Sequence, residues 1–349
     1  MKRLVCLGPE EIGWQPVEAR EPGPGEVRIR CEFGVEKHGT MQAFYRGYAN
    51  ARGRWDPEML LHRTGEGMLW SYPVPLGNMQ FGRVAACGPG VDNLAEGDRV
   101  AVGAPFQPEV VAPASGVWPM PEGTDWTDMA LLDPAEFALG AIRDGHVRLG
   151  DAVAVFGLGA IGLCVVQLAR AAGASRIVAI DPIASRREIA RATGADDAID
   201  PAGTDVGLAL KETIRGGPDV VLDFSGSVHA LQAALRGVAY GGTIVLGAFP
   251  PPFGAGLDLG AEAHMNRPNV VFSRACSDPN PDHPRWNHRR IQETAYDLIL
   301  SGRLQGGKIV GPTVPFDTLL DAYPKIADRP SDFIKLAVSY PPSSGPLSG

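Results

Sequence analysis

One stretch restricts what this chain can fold into more than any other: Asp151 to Asp181, DAVAVFGLGAIGLCVVQLARAAGASRIVAID. An apolar strand pattern, Ala152 to Phe156, turns through Gly157, Gly159 and Gly162. A helix-period segment follows from Ala160 to about Ala172, then a second strand, Ile177 to Ile180, that ends on Asp181. Strand, G-x-G-x-x-G, helix, strand and an acidic residue about twenty positions on are the full context of a dinucleotide fingerprint. The glycines allow a tight turn and let backbone N–H groups approach a pyrophosphate at the positive end of a helix. A membrane span is the competing reading of so apolar a run. It needs roughly 20 residues without glycine punctuation, and Gln167 and Arg170 close this one. A buried parallel strand followed by a packed helix accounts for the same composition.

A chain of 349 residues is too long for one ordinary core, so two domains are expected. Hydrophobic content of 44% and charged content of 21% are those of a soluble globular enzyme. The net charge of −8 with no basic run argues against nucleic acid. Cys6, Cys31, Cys87, Cys164 and Cys276 are scattered without a C-x-x-C pair, which signals neither a disulfide framework nor a thiolate zinc site. The opening MKRLVCLGPEEIG has too short an apolar run for a signal peptide. A cytoplasmic protein outside the membrane is expected.

Residues 1–32 alternate short strands with turns; in EPGPGEVRIRCEFG, Val27, Ile29 and Cys31 point one way. Strand signals return at Gly82 to Cys87 and Asp98 to Val102, and no long helical period precedes about Thr127. A small, partly open antiparallel barrel is expected. Within it, Phe44 to Pro75 reads as irregular, carrying Tyr45, Tyr48, Trp55, Trp70 and Tyr72 among Arg46, Arg52, Arg54, His62 and Arg63. Long loops are functional or disordered, and disordered ones avoid aromatics. An ordered loop covering a polyhydroxylated or anionic ligand is the expectation; for any single residue, packing the loop onto the barrel is an equal reading. Asp133, with Pro134 and Glu136, reads as a helix N-cap with a capping box. Beyond Asp181, helices alternate with strands to Arg274, six strands in all, which predicts a doubly wound α/β sheet with its ligand crevice at the strands' C-terminal ends. The cluster HPRWNHRR, His283 to Arg290, sets positive charge at a helix start, against the dipole preference; a solvated turn is the expected reading.

The segments EPGPGEVRIR, GPGVDNLAEGDRVAV, GDAVAVFGLGAIG, DFSGS, AYGGTIVLGAF and FIKLAVSY span most of the chain. With a barrel, a Rossmann unit and a return to the barrel, the chain resembles the medium-chain dehydrogenase/reductase superfamily, the zinc alcohol dehydrogenases in particular. The resemblance implies a GroES-like barrel over residues 1–134 and 279–349 and a Rossmann domain over 135–278. It implies cofactor contacts from Gly157, Gly159, Ala160, Ile161, Gly162, Asp181, Arg186, Ser225, Gly226, Gly247 and Ala248. It also implies a homodimer. The metal site departs from the family. In GVEKHGTM, His38 stands where the cysteine ligand belongs, Gly77-Asn78-Met79 replaces Gly-His-Glu, Asp133 takes the third position, and the structural-zinc lobe is absent.

Catalytic zinc needs three protein ligands and an open position, and Asn78 is a poor substitute for one. Hydride transfer between a secondary alcohol and NAD without zinc is therefore the expected chemistry, with His38, Asp133 and Glu36 the candidates for any non-standard metal. His38 titrates in the range of a general base, Lys37 can stabilise an oxyanion, and Thr40 matches the family's proton-relay position. Tyr45, Trp55, Trp70 and Asn78 are the candidate substrate contacts, for a sugar, cyclitol or other polyol. Asp181 favours NAD over NADP by accepting the ribose 2′-OH and repelling a 2′-phosphate, though Arg186 and Arg187 pull the other way. A zinc-free quinone or enone reductase, and a dinucleotide-binding protein without catalysis, are the alternatives.

Overall fold

The computed structural model describes residues 1–341 except 69, 279–281 and 330, and only the backbone of His38 and Ala51. The chain divides into two compact units, Met1–Ala130 with the described residues from Val310 onward, and Leu131–Ile309.

The first unit opens with β1 (Lys2–Gly8), β2 (Glu11–Pro16) and β3 (Glu26–Val35). In β3 the side chains of Val27, Ile29 and Cys31 are buried while Arg28 and Arg30 between them are not, as the alternation predicts. Helix α1 (His38–Tyr45) comes next, where no helix was expected. It is only 8 residues long and its N-cap, Lys37, makes no side-chain capping bond, so neither period nor cap marks it in the sequence. Tertiary burial makes it helical: Met41, Phe44 and Tyr45, at i, i+3 and i+4, pack into the core with Leu4 and Cys6. The stretch read as irregular contains a hairpin, β4 (Arg54–Asp56) with β5 (Leu61–Arg63). Asp56 Oδ1 closes its tip by accepting from the N–H groups of Glu58 and Met59. Then come β6 (Val74–Pro75), β7 (Met79–Cys87), β8 (Arg99–Gly103), β9 (Glu109–Pro113), β10 (Val117–Pro119) and α2 (Trp126–Met129).

The second unit starts with α3 (Leu132–Asp144). The expected cap at Asp133 is not formed. Asp133 lies inside the first turn, and the preceding Leu131 is already αR, leaving no extended N-cap for a side chain to serve. The alternation then runs β11 (Ala152–Phe156), α4 (Ala160–Ala171), β12 (Arg176–Ile180), α5 (Ala184–Thr193), β13 (Asp197–Ile199), α6 (Val206–Thr213), β14 (Val220–Asp223), α7 (Val228–Gly237), β15 (Thr243–Leu246), α8 (Glu262–Asn266) and β16 (Asn269–Phe272). The six strands are parallel in the order β13-β12-β11-β14-β15-β16, a doubly wound sheet whose order reverses beside β11. Ala154, Phe156, Val178, Val221 and Ile244 fill one face of it together with Leu210, Leu231 and Leu235. Helix α9 (His288–Leu300) buries Ile291, Ala295 and Ile299 and packs on α3. That packing places the chain up to Ile309 in the sheet unit, whereas it was expected in the barrel. The arginines of the HPRWNHRR cluster are engaged locally: Arg285 with Asp282, Arg289 with Glu293, and Arg290 over the Trp286 ring, which Arg143 also contacts. No helix among the described residues is long and apolar enough to cross a membrane.

The chain closes on the first unit with β17 (Val310–Pro315), α10 (Leu319–Ala327) and β18 (Lys335–Ser339). Strand β18 pairs antiparallel with β3, completing the seven-stranded sheet, and β2-β1-β6 form a separate three-stranded one. Three bonds fix Glu36 immediately before Lys37 and His38. Its N–H donates to the Leu336 carbonyl, its carbonyl accepts from Lys335 Nζ at 2.8 Å, and its buried carboxylate accepts from the Tyr323 hydroxyl. Burial, with the Glu36 carboxylate beside it, pushes the Tyr323 hydroxyl well above the usual phenol range, so it stays a donor. Tyr323→Phe removes a hydrogen bond to a buried carboxylate, and should cost on the order of 2–3 kcal/mol in chemical denaturation. A loss below about 0.5 kcal/mol would show that the bond contributes nothing net.

Candidate functional site

At the C-terminal end of β11 three chain segments meet at contact distance. A Cβ on Gly157 (φ +82°) would lie 2.6 Å from the Ser225 nitrogen, and one on Gly162 would lie 1.9 Å from the Gly157 carbonyl oxygen. Both positions therefore require glycine. Gly159 differs: a Cβ there would meet nothing within 4 Å. Its open face lies at the N-terminus of α4, where the N–H groups of Ala160, Ile161 and Gly162 begin the helix without intrahelical acceptors. Closed where backbone meets backbone and open where a ligand would approach, the turn fits a dinucleotide pyrophosphate.

Asp181 follows β12, the strand beside β11, and is 4% exposed. Its Oδ2 accepts from the Leu158 N–H and its Oδ1 from the Ile183 N–H, both at 2.8 Å. The carboxylate thus braces the glycine turn from behind as well as ending the strand. Arg186 lies 3.9 Å from it, and desolvation holds that guanidinium below its usual range. Arg187 is spent elsewhere, on the Asp181 carbonyl and on the Asp200 carboxylate.

Ser225 and Gly226 follow β14, and Gly247 and Ala248 follow β15, at the same end of the parallel sheet as Gly157. The Ser225 N–H and hydroxyl both donate to Asp223 Oδ1. Desolvation raises the carboxyl of Asp223, and these two bonds lower it in part.

In the barrel unit, Lys37 and Thr40 flank the start of α1, and the backbone of His38 is its first residue; the His38 side chain lies outside the described residues. The Asn78 N–H donates to the Val35 carbonyl at 3.0 Å, and Val35 pairs with Met79, so Asn78 sits one strand across from the segment leading to Lys37 and His38. Trp55 and Trp70 are about half-exposed, the first edge-on to His62 and the second edge-on to Phe44. Tyr45 is different. It is 4% exposed and packs edge-on against Tyr323, so its ring belongs to the core and offers no face to a ligand. Asp133 falls in the other unit. Among the described residues no three His, Cys, Asp or Glu side chains group as metal ligands, and the neutral amide of Asn78 does not fit a zinc position.

Tyr323 and Lys335, which hold Glu36, are not among the candidate site residues expected from the sequence. Lys335 does carry a signal, a lysine inside the apolar strand FIKLAVSY that has to be buried with a partner. Tyr323 carries none.

Residues 160–281 match a family model described as zinc-binding dehydrogenase. The chain is 41% identical to D-guloside 3-dehydrogenase of Escherichia coli K12, over 97% of this chain and 100% of that one. The crystal structure of 2R,3R-butanediol dehydrogenase from Bacillus subtilis has the same fold, with a TM-score of 0.77 at 23% identity over 98% of this chain and 99% of that one. So does an alcohol dehydrogenase of Escherichia coli CFT073 solved with NADH, with a TM-score of 0.75 at 22% identity over 97% and 99%. The chain belongs to the zinc-binding dehydrogenases of the medium-chain dehydrogenase/reductase superfamily, a nicotinamide-dependent alcohol dehydrogenase/reductase with a GroES-like unit and a Rossmann unit.

Proposed function

We propose that this enzyme transfers a hydride between NAD and a secondary hydroxyl of a glycoside or other polyol, without catalytic zinc. The observation that carries the reading is the match at 41% identity, along the whole of both chains, to a protein named for oxidising a guloside at position 3. The half-exposed rings of Trp55 and Trp70 support it, since an aromatic face suits the C–H face of a pyranose. NAD is favoured by Asp181, whose buried negative charge would lie against any 2′-phosphate. Asn78, in place of an imidazole ligand, supports the zinc-free assignment.

In this reading His38 accepts the hydroxyl proton, Thr40 relays it, and the Lys37 ammonium steadies the developing alkoxide. The bound nicotinamide supplies the hydride acceptor. Two copies of the chain would pair through β16, the last strand of the parallel sheet. Val270 is exposed there and Phe272 is 80% exposed, an edge that invites a second strand.

Initial rates with NAD and with NADP over a panel of alkyl pyranosides and cyclitols test the reading. Turnover with NAD at least about 100-fold above NADP is expected, the scale set by a few kcal/mol; no turnover on any member would sink it. Asp181→Asn, which loses the charge and turns one of the two oxygens that accept a backbone N–H into a donor, should weaken NAD by at least about tenfold and narrow the preference. In sedimentation, Phe272→Glu should convert a dimer into a monomer; a wild-type monomer would remove the edge-pairing proposal.

A further inference from the structure

We propose that the side-chain amide of Asn78 donates a hydrogen bond to the reacting oxygen of the substrate, taking the electrostatic duty that a Lewis acid would otherwise have. The inference rests on the zinc-free reading above. It starts from a buried donor: Asn78 Nδ2 is shielded from solvent and has no hydrogen-bond partner among the described residues. A buried donor left unmatched is costly, and a bound ligand is one way to match it.

The backbone does not let Asn78 turn away. Its N–H is committed to the Val35 carbonyl and its own carbonyl accepts from the Ala104 N–H at 2.9 Å. The preceding Gly77, at φ +112°, approaches so closely that a Cβ there would lie 2.4 Å from the Phe106 nitrogen. The residue is held between β3 and β8 with only χ angles free. Asn78 as a whole is half-buried, with Nδ2 on its shielded side. There it stands across from the chain that continues through Glu36 to Lys37 and His38. Glu36 is itself held by Leu336, Lys335 and Tyr323. A donor on a backbone fixed from both sides thus lies one strand across from the segment that leads to His38, the two halves an alcohol oxidation needs.

The step balances. The substrate carbon loses hydride to the oxidised nicotinamide, its hydroxyl loses a proton to the acceptor on the barrel unit, and the C–O single bond becomes a carbonyl. Negative charge builds on the oxygen as the proton leaves ahead of the hydride. A preorganised N–H aimed at that oxygen stabilises the transition state more than the neutral alcohol. With the alcohol bound, the unmatched donor gains its partner.

The experiment compares wild type, Asn78→Ala and Asn78→Asp as full chains, on the best pyranoside substrate found with NAD. It measures kcat, KM, the dissociation constant for NADH by protein fluorescence, and wild-type activity after exhaustive dialysis against a chelator. Asn78→Ala should lower kcat by about 100- to 1,000-fold, the usual effect of removing one oxyanion donor, while NADH affinity stays within about twofold. Asn78→Asp, of the same shape but without a donor, should fall at least as far. Wild type should keep its activity through chelation. Any one of three results overturns the inference: a kcat of Asn78→Ala within about threefold of wild type, an active Asn78→Asp, or chelator-sensitive turnover restored by zinc. A wild type that oxidises no polyol is a different outcome, which removes the parent reading and this inference with it.

Discussion

The approach of the Gly162 Cα to the Gly157 carbonyl is the constraint on which the cofactor half of the enzyme depends. At that separation no side chain fits between α4 and the turn that starts it. The same turn presses on Ser225 from a second side and is braced by Asp181 through the Leu158 N–H. Backbone atoms from β11, β12 and β14 therefore define the cradle. A pyrophosphate bound there, as proposed, would draw on rigid peptide dipoles that need no reordering. Asp181 works twice, as a brace for the turn and as the charged group at the strand end.

The barrel unit solves a related problem with side chains. Glu36, Tyr323 and Lys335 are buried, the first from the opening segment of that unit and the other two from the segment that returns to it after Val310. Groups of this kind are expensive to desolvate unless matched, and matched they fix the register of whatever lies next to them. Here that neighbour is Lys37-His38. Stability and placement of the proposed catalytic segment come from the same three residues.

Where the sequence was legible, a physical reason made it so. The parallel sheet could be read because strands buried on both faces are continuous apolar runs and glycine is obligatory where the backbone crosses closely, as at Gly157 and Gly162. The barrel strand with Val27, Ile29 and Cys31 could be read from its alternation. Helix α1 was invisible because one short apolar face, Met41, Phe44 and Tyr45, is too brief to show a period. The cap assigned to Asp133 failed because a capping signature says nothing of where the chain arrives from, and Leu131 arrives already helical. Tyr45 was assigned to a ligand by residue type alone, while burial gives it to the core. Tyr323 was missed because a single tyrosine in a helix carries no mark of the carboxylate it will meet, 287 residues away in sequence.

The central claim is that hydride leaves a ring carbon for the nicotinamide with no metal taking part. The most direct measurement is deuterium transfer from a glycoside labelled at the oxidised ring carbon, followed by NMR of the reduced cofactor, using enzyme whose zinc content has been assayed and found negligible. The account predicts one deuterium per NADH formed at the rate of untreated enzyme. Deuterium transfer that appears only when zinc is restored would contradict it.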